Sequence, residues 1–176
     1  MIEKGKGGGN TITGLNFERE GDILQLLKKQ KGYSIKGRVI FYEGKEVAQS
    51  YQKYALYKYL GSKGVDYKKY LSKKLLPDEA LYVIVNNTLF IIEMKFQKVG
   101  GSVDEKLQTC DFKRKQYAKL MAPLNIEVEY IYILSDWFKN PGYKDVLDYI
   151  ISVGCQYYFK YLPLQKLGLP VPELSK

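Results

Sequence analysis

The sequence predicts an α/β fold: a single domain in which a mixed central β-sheet is sandwiched between flanking helices. Three observations carry this. Apolar, β-rich runs at 81–85, 89–92 and 127–134 have the length of core strands, and they alternate with segments of helical periodicity. At 176 residues the chain has ordinary one-domain size, enough to bury about 70% of its unfolded surface. No internal repeat divides it, and no boundary marks off a dedicated recognition domain. The expected organisation is a flexible arm over 1–12, a folded domain over 13–162 and an extended tail over 163–176.

In chain order, Gly5 and Gly7-Gly8-Gly9 among lysines read as a mobile or DNA-contacting arm. They are not a phosphate-binding loop, because the Gly-x-x-x-x-Gly-Lys-Ser/Thr order is missing and no strand precedes them. A helix is predicted over about 16–30, with Phe17, Leu24 and Leu27 near one face and Gly32 as its stop. Glu18, Glu20 and Asp22 fall in its first turns, where acids favour the positive end of the helix dipole. A hairpin over 37–48 turns through Glu43-Gly44-Lys45, and a Tyr- and Lys-rich helix over 49–61 ends near Gly61. A short basic helix over 66–74 carries Lys68, Lys69, Lys73 and Lys74 to Pro77. Beyond Gly100-Gly101, Ser102 or Asp104 can cap a helix over about 104–121, with Leu107, Cys110, Tyr117 and Leu120 for the core and Lys106, Lys113, Arg114 and Lys115 as its charge. A strand over 127–134, the Asn140-Pro141-Gly142 turn, a helix over 143–152 and a Tyr-rich strand over 155–160 follow. The proline-containing tail reads as a strap or a partner contact.

The stretch 77–97 is where the chain departs from pure structure. Its two strand runs flank Asn86-Asn87, residues that tolerate positive φ and suit a hairpin turn. In the second strand Phe90, Ile92, Met94 and Phe96 share one face, and Glu93, Lys95 and Gln97 share the other, which is chemistry or solvent. Pairing through the turn puts Leu81 or Tyr82 roughly opposite the strand's end and Asp78 a little beyond, near Glu93 and Lys95. Two carboxylates about 4 Å apart repel by about 4 kcal/mol at an effective dielectric of 20. A divalent cation removes that cost, and hard oxygen donors without His or Cys favour Mg²⁺. The acid-x-Lys spacing is not distinctive alone, since it occurs at Glu43/Lys45, Asp66/Lys68, Glu93/Lys95, Asp104/Lys106 and Asp111/Lys113. Only Glu93/Lys95 ends a buried-type strand with Pro77-Asp78 upstream at hairpin distance.

Pro77-Asp78 followed by Glu93-Met94-Lys95 resembles the signature of the PD-(D/E)XK nuclease superfamily, and Gln97 extends it to the Glu-x-Lys-x-Gln form. Thr13-Gly14-Leu15-Asn16-Phe17-Glu18 is similar to the opening of the first helix in many type II restriction endonucleases. Gly101 to Leu107 resembles the segment after their catalytic strand. The resemblance implies a restriction-endonuclease-like sandwich and a Mg²⁺-dependent endonuclease, with Mn²⁺ able to substitute. Asp78 and Glu93 would hold the metal with the Met94 carbonyl, and Lys95 would orient or activate the attacking water. Glu18 would assist the metal site on this reading, against its plainer role as a helix-dipole acid. Gln97 would hold a substrate oxygen or the surroundings of Lys95, or else is a polar strand-end residue.

Composition agrees with a polyanionic partner. Net charge is +9, so duplex DNA can bind through counterion release, with Lys73, Lys74, Lys106, Lys113 and Arg114 as candidate DNA contacts; a solvated face is the plainer reading for most of the lysines. The chain contains no histidine, which excludes a Ser-His-Asp triad, a His-metal nuclease and a zinc finger. Cys110 and Cys155 have no metal spacing and read as free thiols in a cytoplasmic protein. No signal peptide or transmembrane run is visible, and no membrane partner is expected. One active site cuts one strand, so a double-strand break requires a homodimer or a heterodimer with a larger recognition subunit. A junction-resolving or repair nuclease, and a non-catalytic basic nucleic-acid-binding module, are the alternatives.

Overall fold

In a computed structural model, which describes residues 13–18, 21–100 and 103–173 and only the backbone of 103 and 104, seven strands build one mixed sheet. They are β2 (Tyr33–Lys36), β3 (Val39–Tyr42), β4 (Lys45–Ser50), β5 (Glu79–Val83), β6 (Thr88–Lys95), β7 (Glu127–Leu134) and β8 (Gln156–Phe159), in that spatial order. The first five pair antiparallel, whereas β6, β7 and β8 run parallel. Parallel neighbours need a long crossover connection, usually a helix. Helices α3 (Val103–Leu107) and α4 (Cys110–Met121) return the chain from β6 to β7, and α5 (Lys144–Ser152) returns it from β7 to β8. Helices α1 (Ile23–Lys28) and α2 (Tyr54–Ser62) and a two-stranded ribbon of β1 (Gly14–Asn16) with β9 (Tyr161–Pro163) complete a single α/β domain.

The sheet carries a core on each face. One joins Leu56 and Leu60 of α2, Tyr117 and Leu120 of α4 and Ile150 of α5 to Leu89, Ile91, Tyr130 and Tyr132 of the sheet. The other joins Leu15, Ile23, Leu27, Leu162, Leu164 and Leu167 to Phe90, Ile92, Ile131 and Ile133. Strands covered on both sides read as continuous apolar runs, and β6 is buried from Thr88 to Met94. The expectation that its Glu93 face is wholly chemistry or solvent is therefore corrected: Leu89 and Ile91 share that face and are core.

Several boundaries move, each for a tertiary reason. The helix expected over 16–30 begins only at Ile23, with Asp22 as its cap: its carboxylate accepts the Leu24 N–H at 2.9 Å. Residues Gly14–Asn16 pair instead with Tyr161–Pro163, a partner far along the chain that local periodicity cannot reveal. The helix expected over 49–61 starts at Tyr54 because Gln49 and Ser50 extend β4 against β5. The basic helix expected over 66–74 shrinks to one 3₁₀ turn, Tyr67–Lys69, capped by Asp66. The helix over 104–121 breaks between Leu107 and Cys110. Strand β2 lies outside every strand expected from the sequence. In the tail Pro163 belongs to β9, Leu164–Leu167 form a 3₁₀ turn where an extended segment was expected, and Leu164, Leu167 and Leu169 are buried. Gly168, at φ +68°, lies so close to Asn86 that a Cβ would collide with its side-chain amide. The arm at 1–12, Glu20 and the Ser102 cap lie outside the described residues. No helix among the described residues is long and apolar enough to cross a membrane.

Candidate functional site

The β5–β6 hairpin brings the candidate acids together. Its register pairs Glu79 with Ile92, Leu81 with Phe90 and Val83 with Thr88, through Asn87 at φ 50°. Leu81 and Tyr82 thus sit opposite Phe90 and Leu89 near the start of β6, not opposite the strand's end as expected from sequence. The same register carries Asp78, one residue before β5, to the end of β6 beside Glu93. By the two-residue alternation of strands, Asp78 and Glu93 face the α4 side together, whereas Glu79 faces the other core.

Neighbouring segments fix Asp78 from both sides. The Tyr57 hydroxyl donates to the Leu75 carbonyl at 2.8 Å and accepts the Leu75 N–H at 2.7 Å. The Lys53 N–H donates to the Pro77 carbonyl at 3.1 Å, and the Tyr51 N–H to the Ala80 carbonyl at 2.7 Å. Asp78 Oδ2 in turn accepts the Met94 N–H at 3.3 Å. Lys95 Nζ bridges the two acids, 3.1 Å from Glu93 Oε2 and 3.8 Å from Asp78 Oδ2. Environment separates the carboxylates: the Glu93 side chain is 8% exposed and that of Asp78 is 44% exposed.

Below Glu93 lie phenols. Burial, and after it the Glu93 charge, pushes Tyr130 and Tyr117 well above the usual tyrosine range, so both remain neutral. The Tyr130 hydroxyl is buried with no hydrogen-bond partner among the described residues. On the opposite face Glu79 is fully buried and accepts from Ser50 Oγ at 2.8 Å, Gln52 Nε2 at 2.9 Å and the Ala80 N–H at 3.0 Å. Burial raises its pKa, the three hydrogen bonds oppose that, and Asp22 adds to it.

The remaining sequence-predicted residues scatter. Glu18 is exposed on a cleft beside α1 that Asn16, Asp22 and Gln25 also line. Asp22, read from sequence only as a dipole acid, reaches further: with Gly21, Gln52 and Lys53 it lines a cleft of about 370 Å³ whose other walls are Asp78 and Met94. Gln97 lies just past β6. Its N–H donates to Ser135 Oγ at 3.1 Å, its Nε2 donates to the Val99 carbonyl, and its Oε1 is buried without a partner among the described residues. Lys106 is exposed, and its carbonyl accepts the Tyr132 hydroxyl at 3.2 Å. Arg114 donates to the Val153 carbonyl at 3.1 Å and lies 3.6 Å from Asp111. Lys73 is exposed, and Lys74 stands over the rings of Tyr54, Tyr57 and Tyr67 at 5.6, 5.1 and 4.9 Å. Lys113 comes to the site itself, 3.8 Å from Glu93 Oε2.

Among the described residues no group of three or more His, Cys, Asp and Glu gathers in a way that could hold a metal ion. The site offers two carboxylates, Asp78 and Glu93, that share the ammonium of Lys95. That donor set suits Mg²⁺, which binds through one or two carboxylates and completes its shell with water or substrate oxygens. Two hard acids with a shared ammonium can bind a cation, orient a water and counter charge on a phosphate. Against protein-family models, curated proteins and solved structures, the chain finds no match.

Proposed function

We propose that the chain is a Mg²⁺-dependent DNA endonuclease of the PD-(D/E)XK type, with a restriction-endonuclease-like fold, hydrolysing phosphodiester bonds in duplex DNA. The observation that carries this reading is the position of Lys95 Nζ, 3.8 Å from Asp78 Oδ2 and 3.1 Å from Glu93 Oε2, at one end of a buried hairpin. The mixed sheet with a helical layer on the Glu93 side is compatible with it, and the net charge of +9 favours a polyanionic substrate.

Asp78 and Glu93 would hold Mg²⁺, or Mn²⁺ in its place, together with the Met94 carbonyl. When bound, such an ion polarises a phosphoryl oxygen and lowers the pKa of water. Lys95 orients the attacking water and offsets negative charge growing on the phosphate. The hydrogen bond from the Met94 N–H keeps Asp78 aimed at the strand end. Burial of Glu93 strengthens every charge interaction it makes. Double-strand cutting then calls for a second site, supplied by a homodimer or by a larger recognition subunit.

Plasmid digestion with Mg²⁺, followed by mapping of the ends, tests the reading. Wild type should nick or linearise the plasmid, alone or with a partner subunit, and Asp78→Ala, Glu93→Ala and Lys95→Ala should not. Mg²⁺-dependent cutting that survives in purified Lys95→Ala overturns the assignment.

A further inference from the structure

Lys113 stands in the first turn of α4, and its Nζ lies 3.8 Å from the Glu93 oxygen that Lys95 also approaches, at 3.1 Å. With Asp78, which Lys95 reaches at 3.8 Å, these residues form one cluster of two carboxylates and two ammonium groups. Its formal charge is zero. Remove Lys113 and one negative charge stays uncompensated, beside a Glu93 side chain that is 8% exposed. A charge so placed needs a partner. Tyr117 and Tyr130 beneath it are neutral, and the next basic residues of α4 are engaged elsewhere: Arg114 at the Val153 carbonyl and Lys115 at Asp111, 2.7 Å away.

We infer that Lys113 is a positioning residue of the site: its ammonium neutralises Glu93 in the ion-free protein and competes with a divalent cation for the same carboxylate, instead of lying in a DNA groove. The inference rests on the reading of Asp78 and Glu93 as the ion-holding pair. The two roles predict opposite signatures. A positive charge beside a cation site weakens that site, so its removal tightens divalent-ion binding in the absence of DNA. A groove contact leaves ion affinity unchanged and lowers the salt dependence of duplex binding by about one unit. Because Lys113 is 28% exposed, solvent screens its charge, and the expected gain is roughly three- to tenfold.

Mn²⁺ titrated into DNA-free protein, with the free ion followed by electron paramagnetic resonance, separates these outcomes. Lys113→Met should bind Mn²⁺ roughly three- to tenfold more tightly than wild type, Lys113→Arg should match wild type, and Glu93→Gln should lose most uptake. Unchanged or weaker binding by Lys113→Met, beside a defective Glu93→Gln, overturns the role of Lys113 alone. Normal uptake by Glu93→Gln overturns the ion-holding pair and the inference with it. Urea unfolding of the ion-free proteins supplies a second readout. Lys113→Met should lower stability in wild type and have no effect in the Glu93→Gln background; an equal loss in both backgrounds also overturns the inference.

Discussion

Replacing Lys95 with methionine keeps most of the aliphatic stem and deletes the ammonium, so its effects report on charge. At an effective dielectric of 20 the 3.1 Å contact with Glu93 corresponds to about 5 kcal/mol of Coulomb attraction. Most of that is offset by the desolvation needed to bring the pair together, and Lys113 remains 3.8 Å away to hold Glu93. Asp78, 44% exposed, is screened by water and adds less than about 1 kcal/mol. The net loss of stability should be about 1–3 kcal/mol, which moves the urea midpoint down by roughly 0.5–1.5 M for a slope of about 2 kcal/mol per molar. Cleavage should fall much further, by about 10²–10³-fold, the usual cost of losing one group that stabilises charge in the transition state. Single-turnover digestion of a plasmid at saturating Mg²⁺, run on protein shown to be folded under the same conditions, measures it. A variant that unfolds earlier yet cuts within about threefold of wild type refutes the argument, because the ammonium would then be structural only.

Other expectations follow from groups around the site. Glu79 has a raised folded pKa, so the folded chain keeps its proton in a window where the unfolded chain has lost it. Its contribution to stability is therefore fully present below the ordinary carboxylate value and is lost as pH rises through the folded value. Glu79→Gln should flatten that decline in urea unfolding at about pH 5 and about pH 8; an equally steep decline assigns it to another group. Lys74→Ala should cost about 0.5–1 kcal/mol through its lost ring contacts without altering the salt slope of duplex binding. Lys73, which makes no ion pair or ring contact among the described residues, should on neutralisation lower that slope by about one unit; the reverse result exchanges their roles. Leu167→Ala, at a fully buried tail position, should cost about 2–5 kcal/mol in thermal or urea unfolding, and a loss under about 0.5 kcal/mol would mean that the tail is not part of the core.

What could be read from the sequence was what short-range chemistry dictates. The β5–β6 hairpin is written in two apolar runs around Asn86-Asn87, and the two-residue alternation of a strand puts Glu93 and Lys95 on one face. Strand β7 falls over the stretch expected for it, and α5 and β8 lie within one residue of theirs. A signal for Lys113 existed as well. At 100° per residue it lies within about 60° of Cys110 and Tyr117 on the helix surface, so the periodicity that put those two in the core also turns Lys113 toward the sheet. Its position in a run of charged residues, Lys113-Arg114-Lys115, masks that. Partners chosen across long separations were not legible: Gly14–Asn16 pairs with Tyr161–Pro163, Leu164 and Leu167 fill the core on the α1 side, and Asp22 reaches the cleft beside Asp78. Periodicity tells a segment which of its faces seeks cover, but the covering surface can come from anywhere in the chain. The hairpin and the order of its charges are therefore local properties of the chain, whereas the second ammonium at Glu93 comes from a helix whose choice depends on how α4 docks across the sheet.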